Sequence, residues 1–183
     1  MSLACLAIVF FTVAAAAEAK PEISSARKDA NGFLAHTVKS PFQSGTTKIR
    51  VLLPDRLDRS KRYPILFILP DESGDGNRYG DGLLEARKRG LHNKHSLICV
   101  APTFSHVPWY ADHPTDKEIR QETYFVKVVV PFVERTYPAI AKRDERLLVG
   151  LPKRPLQKLG ACFVRPFARQ SILQNRRNRI LAQ

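Results

Sequence analysis

A short apolar strand that runs into glycine carries the clearest chemical signal in this chain of 183 residues. From Arg146 the sequence is Arg-Leu-Leu-Val-Gly-Leu, and Pro152 stands two positions after Gly150. At the end of such a strand, the pattern Gly-x-Ser-x-Gly exposes a serine nucleophile on a sharp strand-to-helix turn. Here proline occupies the position of the serine, and proline has no N–H and a φ fixed at roughly −65°. The sequence therefore predicts the approach to a nucleophile without the nucleophile.

The partners that a serine nucleophile needs are missing from the same region. A histidine must act as the base, and an acid must orient that histidine. When the serine lies on this kind of turn, both partners come later in the chain. Residues 152–183 contain no Asp, Glu or His, and Ser171 is their only serine. We therefore assign no catalytic residue.

The loop that follows the first buried strand is a candidate oxyanion loop. Residues 64–69 are apolar throughout, which is typical of a strand covered on both faces. Ligands of open α/β sheets bind beyond the carboxyl ends of the strands. Pro70, Asp71 and Glu72 begin the loop there, and a backbone N–H among them could stabilise a developing negative charge. A solvated turn is the alternative interpretation.

The same loop does not fit a calcium site or a dinucleotide site. Against the EF-hand template, Gly82 stands where a bidentate Glu is required. Its glycines follow the spacing Gly-x-Gly-x-x-x-Gly, which is one residue too long for a dinucleotide fingerprint. We expect neither a metal nor a cofactor.

A second loop, residues 102–114, follows a predicted buried strand at residues 96–101. Its candidate pocket-lining residues are His106, Trp109, Tyr110 and His113. Aromatic side chains at the end of a strand could line an acyl or sugar pocket. Either histidine could act as a base, although the sequence fixes no serine or carboxylate partner for it. His92 and His95 are expected at the surface.

The elements that must position these loops follow from periodicity. Residues 36–40 and 47–53 alternate apolar and polar side chains, which predicts an antiparallel hairpin. Residues 83–89 predict a short helix that ends at Gly90. Thr115-x-x-Glu118 resembles a capping box, and the helix it begins is expected to continue through Pro131 to Tyr137. Strands that alternate with helices indicate an α/β fold with a mostly parallel sheet.

The charge of the chain is concentrated in one segment. The formal net charge is +13, and eight of these charges lie in residues 152–183, which carry no acid. We hypothesise that this basic segment comes from a shifted reading frame or a degenerate gene end and is unstructured. A genuine basic tail that binds a polyanion is the alternative.

The first nineteen residues predict a signal peptide. An apolar run is followed by Ala17-x-Ala19, which fits cleavage before Lys20. We expect a secreted or periplasmic protein with no stable membrane span after cleavage. Residues 20–35 form a polar lead-in, residues 36–151 the main domain, and residues 152–183 the tail. The three cysteines predict no disulfide framework, and Cys99 is expected to be a buried thiol.

Three segments together carry a family resemblance. They are Lys61-Arg-Tyr-Pro-Ile-Leu-Phe-Ile-Leu69, Pro131-Phe-Val-Glu-Arg-Thr-Tyr137 and Arg146-Leu-Leu-Val-Gly-Leu151. In this order and spacing they resemble the α/β-hydrolase family that includes esterase D, feruloyl esterases and mycolyltransferases. The match covers about residues 36–151.

The resemblance implies an incomplete α/β-hydrolase-like three-layer fold, in which an N-terminal antiparallel hairpin leads into a mostly parallel sheet. It also implies a secreted serine esterase or acyl hydrolase that is truncated at the nucleophile and inactive. The chain departs from the family at Pro70-Asp71, where many members have His-Gly, and at Pro152. Two alternatives remain: a non-catalytic module that binds a carbohydrate or small-molecule ester, or a polyanion-binding protein acting through its tail. We expect no specific nucleic acid partner.

Overall fold

The computed structural model describes residues 19–74, 80–107 and 110–150. Its strands are β1 (Glu22–Ile23), β2 (Arg27–Lys28), β3 (Leu34–Lys39), β4 (Thr46–Leu52), β5 (Ile65–Ile68), β6 (Ile98–Pro102) and β7 (Arg146–Val149). Its helices are α1 (Gly82–Lys88), α2 (Leu91–Lys94), α3 (Gln121–Tyr124) and α4 (Val130–Thr136). A π-helical turn (Phe125–Val129) joins α3 to α4, and a 3₁₀ turn (Arg143–Glu145) precedes β7.

The described strands form one mixed sheet in the order β1-β3-β4-β6-β5-β7, with β2 also paired to β3. The last three strands of this order are parallel, since Phe67 of β5 lies opposite Val100 of β6 and Leu148 of β7. The predicted hairpin is confirmed, because β3 and β4 pair antiparallel over their whole length. β4 also meets β6 antiparallel. The hairpin therefore leads directly into the parallel part of the sheet.

Helices cover the two faces of the sheet, which gives the three layers expected from the sequence. Ile65 and Phe67 of β5 are buried in a cluster with side chains from residues 124–133. Leu66 and Ile68 point to the other face and pack against the cluster that contains Leu83 of α1. Alternate residues of one continuous apolar strand thus face different helices, as a strand buried on both sides requires.

Part of the predicted polar lead-in pairs with the sheet. Glu22 of β1 lies opposite Lys39, and Arg27 of β2 lies opposite Ala35. Each of these strands has two residues, which is too short for an alternating pattern to appear in the sequence. Both lie along the outer edge of β3 and occupy hydrogen-bonding groups that an edge strand would otherwise expose.

The predicted helix across Pro131 is confirmed, and its predicted start is wrong. The helix begins at Gln121 rather than Thr115. Its first turn is capped from a distance, because Asp112 accepts hydrogen bonds from Thr123 N at 2.9 Å and from Thr123 Oγ1. Glu118 N donates instead to the side chain of Asp116. The capping box therefore belongs to a turn before the helix.

The π-helical turn explains how the helix passes Pro131. Proline cannot donate to the carbonyl four residues earlier, and its ring collides with that carbonyl in a regular α-helix. Here Val130 N donates to the carbonyl of Phe125, five residues back. The wider turn immediately before the proline moves the preceding carbonyls outward.

α1 begins and ends with the residues its sequence favours, and α2 overturns one expectation. Asp81 accepts hydrogen bonds from the N–H groups of the first turn of α1, and Gly90 follows the helix with a φ of 63°. His92 is buried, whereas the sequence placed it at the surface. Its Nδ1 has no hydrogen-bond partner among the described residues, and its Nε2 lies 3.6 Å from Asp55 Oδ1. Four residues of helix are too few to display a periodicity that would have revealed the burial.

Candidate functional site

The carboxyl ends of β5, β6 and β7 meet at one edge of the sheet. Leu69 N donates to Val149 O at 2.8 Å, which extends the pairing of β5 and β7 by one residue. Gly74 N donates to Phe104 O at 2.7 Å and joins the loops that follow β5 and β6. An open cavity of about 630 Å³ lies at this edge and runs over β4 towards the turn before β3. The three segments that the sequence placed together are therefore together.

Gly150, which follows β7, is packed so closely that even a Cβ would press on its neighbours. A Cβ placed there would lie 3.0 Å from Leu69 Cβ and 3.3 Å from Tyr110 Oη. The chain thus leaves β7 through a narrow passage between the two neighbouring loops. The predicted nucleophile position, Pro152, lies outside the described residues.

Tyr110 connects the two loops at this passage. It is buried, has a φ of 57°, and donates its hydroxyl proton to Pro70 O at 2.6 Å. Burial, and secondarily the carboxylate of Asp71, raises the pKa of Tyr110. The phenol therefore stays protonated and acts as a hydrogen-bond donor, which makes it a structural strap.

The candidate oxyanion loop has one of its residues fixed by this strap. The carbonyl of Pro70 accepts the Tyr110 hydroxyl, and the side chain of Asp71 lines the cavity. Glu72 is half-buried and is not among the residues that line the cavity. A carboxylate beside the proposed oxyanion position would oppose a developing negative charge there. The oxyanion role of these residues stays a prediction.

Two buried glutamines hold the loop after β6, and sequence reasoning did not identify either. Gln121 accepts from Tyr110 N at 3.0 Å and donates to Val107 O at 3.2 Å. Gln43 accepts from both the backbone N–H and the hydroxyl of Ser105. Each side-chain amide thus replaces backbone partners that an irregular loop lacks. No local pattern marks either residue in the sequence, since Gln43 lies between an aromatic residue and a serine and Gln121 lies between two charged residues.

The hydrogen bonds around His106 do not suit a catalytic base. Its Nδ1 is 3.1 Å from Ser105 Oγ, which resembles a serine–histidine pair. However, Ser105 donates its hydroxyl proton to Gln43 Oε1 at 3.1 Å, because that oxygen can only accept. With its proton on Gln43, Ser105 does not donate to His106 Nδ1, so the contact lacks the serine-to-histidine hydrogen bond of a catalytic pair.

The ring of His113 accepts hydrogen bonds from the turn that follows it. Its Nδ1 accepts from Asp116 N at 3.0 Å, and Thr115 N lies at 3.4 Å. Both His106 and His113 are exposed, and neither is among the described residues that line the cavity. Trp109, the fourth candidate, lies outside the described residues. A pocket-lining role for these side chains stays a prediction.

A partly buried ion-pair triad forms one wall of the cavity. Arg50 Nε lies 2.9 Å from Asp29 Oδ2, and Arg50 Nη2 lies 2.7 Å from Asp81 Oδ2. Burial would raise the pKa of Asp81, but its hydrogen bonds to Arg50 and to the first turn of α1 outweigh burial and hold the pKa below its ordinary value. The guanidinium also lies over the ring of Phe33, 5.0 Å from its centroid. This wall is therefore rigid.

Residues 19–74, 80–107 and 110–150 offer no cluster of metal ligands, one buried thiol and no membrane-spanning helix. No group of three or more His, Cys, Asp or Glu side chains in these ranges could hold a metal ion. Cys99 is buried in β6, as predicted, and burial raises the pKa of its thiol to about 11. No helix in the described part of the chain is long and apolar enough to cross a membrane.

Comparisons with known proteins find solved structures only. No protein-family model and no curated protein matches the chain. The S-formylglutathione hydrolase of Agrobacterium tumefaciens is 13% identical, with a TM-score of 0.50 over 70% of this chain and 52% of that one. The corresponding enzyme of Staphylococcus aureus is 20% identical, with a TM-score of 0.49 over 65% and 46%. A CE1 ferulic acid esterase from Anaeromyces mucronatus is 22% identical, with a TM-score of 0.44 over 71% and 50%.

The chain spans about half the length of these structures. Identities this low establish a common fold and nothing finer. Three layers and a mixed sheet whose strands β6, β5 and β7 are parallel agree with that likeness. The described part of this chain has an incomplete α/β-hydrolase-like fold, similar to part of the Agrobacterium tumefaciens hydrolase.

Proposed function

We propose that this chain is an esterase-type α/β-hydrolase that does not hydrolyse esters. The observation that carries the proposal is the end of β7. Gly150 is pressed against Leu69 and Tyr110, as the start of a tight strand-to-helix turn requires, and the sequence then places Pro152 where a serine nucleophile belongs. The hydrogen bonds around His106 support the same conclusion, because Ser105 donates its proton to Gln43 and not to that histidine.

The test is an esterase assay combined with covalent labelling. We expect no hydrolysis of p-nitrophenyl acetate above the rate with heat-denatured protein, and no labelling by a fluorophosphonate probe that reacts with activated serines. An active serine esterase serves as the positive control. Pro152→Ser should stay inactive, because residues 153–183 supply no histidine or acid. A fluorophosphonate adduct on any serine, located by mass spectrometry, would contradict the proposal and identify the nucleophile.

A second candidate is ligand binding without turnover, favoured by the cavity at the same edge. Its volume of about 630 Å³ falls within the range of small-molecule sites. The Arg50 triad lines this cavity, and the Tyr110 strap fixes the lining residue Pro70. Neither feature depends on a nucleophile. A neutral ester or a short carbohydrate is the ligand class we propose.

Calorimetry with methyl ferulate and with a xylo-oligosaccharide tests this candidate. Ala101→Phe fills the cavity from β6 and should abolish binding. Ala141→Phe adds the same ring at an exposed position outside the cavity and should leave binding unchanged. Absence of heat with both ligands, or equal loss in both variants, would rule this candidate out.

We also propose export of the chain and an extraneous origin for its basic segment. Mass spectrometry of protein recovered from the medium or periplasm should show an N-terminus at Lys20. Resequencing the gene across codons 148–159 should reveal a frame that continues as Gly-x-Ser, with an acid and a histidine downstream. An uncleaved product, or a reading frame with no such continuation, would overturn the respective proposal.

A further inference from the structure

A second cavity, of about 520 Å³, lies at the opposite edge of the sheet. Pro64 and Ser96, which precede β5 and β6, form part of its lining. The remainder comes mainly from the loop of residues 54–62, and every lining residue belongs to the described part of the chain. This site is therefore separate from the edge where the hydrolase chemistry is expected.

The loop of residues 54–62 is held in place by its own carboxylates. Asp55 N donates to Asn93 Oδ1 at 3.0 Å, and Asn93 Nδ2 returns a hydrogen bond to Asp55 Oδ2 at 2.7 Å. Asp58 accepts from both the backbone N–H and the hydroxyl of Ser60. Tyr63 Oη accepts from Asp58 N at 2.9 Å and anchors the loop to the start of β5. Both acids thus form hydrogen bonds within the fold, although their side chains are exposed, Asp55 to 73% and Asp58 to 46%.

The arginines of the loop point to solvent. Arg56, Arg59 and Arg62 recur every third residue, are exposed, and form no ion pair with any described carboxylate. Lys61 adds a fourth positive charge, shared at 3.6 Å with Asp58. Guanidinium groups match carboxylate and sulfate oxygens in fork geometry. A fixed loop that displays evenly spaced guanidinium groups suits a ligand that repeats its negative charge.

The lining also indicates the class of polymer. Proteins that bind single-stranded nucleic acid stack the bases on accessible aromatic rings. The aromatic residue of this cavity, Tyr63, is 6% exposed and already hydrogen-bonded. A charged polymer without bases fits this surface better than a nucleic acid.

We propose that the loop of residues 54–62 binds an acidic polysaccharide through Arg56, Arg59 and Arg62. The site acts independently of residues 152–183 and of the carboxyl edge. It would hold the protein on a carboxylated or sulfated polymer and leave the first cavity open on the other side of the sheet.

The test compares two triple variants of the full chain on heparin and on polygalacturonate. Arg56→Gln, Arg59→Gln and Arg62→Gln remove three charges from the loop. The matched control replaces Arg27, Lys28 and Lys39, which are exposed on β2 and β3, with Gln. Both variants keep residues 152–183, so the tail contributes equally to each. Equal melting temperatures would show that both remain folded.

We expect the loop variant to lose about 10-fold or more in affinity and to reduce the slope of log K against log salt by about 2, whereas the control changes little. Indistinguishable affinities for the two variants would overturn the proposal, since net charge or the tail would then account for binding. Tighter binding of a single-stranded oligonucleotide, with the same loss in the loop variant, would overturn the assignment to a polysaccharide.

Discussion

Asp81 shows how one side chain can serve the fold and the cavity together. It caps α1 through Leu83 N, pairs with Arg50, and lines the cavity at the carboxyl edge. Burial disfavours its charge, but the guanidinium and the helix N–H groups favour it more. A carboxylate with a depressed pKa stabilises the folded state wherever it is ionised and loses that contribution in acid.

Removing this charge should weaken the acid dependence of stability. The contribution of Asp81 is fully present above its ordinary pKa of 3.8 and is lost as the pH falls through the lower value of the folded state. Asp81→Asn should therefore reduce the urea midpoint at pH 6 and reduce it much less at pH 2.5. Asp144→Asn, at an exposed position, is the control. Equal losses at both pH values would mean that the charge of Asp81 does not contribute.

The Tyr110 strap makes a second prediction at this scale. Tyr110→Phe removes the donor to Pro70 O and keeps the ring, which should lower the free energy of unfolding by about 1–2 kcal/mol. Tyr63→Phe removes an acceptor whose partner, Asp58 N, belongs to an exposed loop where water can replace it, so the loss should be smaller. Urea unfolding of both variants gives the comparison. A smaller loss for Tyr110→Phe than for Tyr63→Phe would contradict the strap.

At the scale of elements, the sequence predicted what regular patterns encode. The β3–β4 hairpin, β5, β6, β7 and the helix across Pro131 all follow from periodicity or from unbroken apolar runs. The start of that helix did not, because its cap comes from Asp112, nine residues before Gln121. A capping box is a local pattern, and a cap supplied from a preceding loop leaves no local signature.

The candidate site, too, was predictable from the sequence only in part. The juxtaposition of the loops after Leu69, after β6 and after β7 follows from the order of parallel strands. The clamps formed by Gln43 and Gln121, and the proton direction at His106, depend on distances between segments far apart in the chain. Such distances leave no mark in a single sequence.

Two substitutions distinguish the observed cap, Asp112, from the predicted cap, Thr115. Asp112→Ala leaves the N–H of Thr123 without its acceptor and should cost about 1–2 kcal/mol of stability. Thr115→Ala should cost less than about 0.5 kcal/mol, because its residue lies in an exposed turn before the helix. Thermal unfolding monitored by circular dichroism measures both. A larger loss of stability for Thr115→Ala than for Asp112→Ala would show that the capping box stabilises the helix after all.

At the scale of the whole molecule, the outermost strands on the two sides of the described sheet differ in how well they are covered. β1 and β2 cover the outer side of β3, whereas β7 is the last strand of the described order at the other end. Val149, at the end of β7, is 48% exposed. A strand edge with an exposed apolar residue favours pairing with another copy of the chain. We therefore expect poor solubility.

A single charge on that edge should reduce self-association. Val149→Lys places a cation on β7, a common means of blocking strand pairing. Val126→Lys makes the same change at a similarly exposed site, 44%, on the helical side. Light scattering at increasing protein concentration should show less aggregation for the first variant only. Equal improvement in both would attribute the effect to net charge.

The buried thiol of Cys99 makes β6 a reporter of its own opening. β6 lies between β4 and β5, so an alkylating reagent reaches this sulfur only when strands separate. A pKa of about 11 keeps the sulfur protonated, and therefore unreactive, while the strand is in place. The rate at which the peptide containing Cys99 is labelled thus measures how often the sheet opens at β6, without any substitution in the chain.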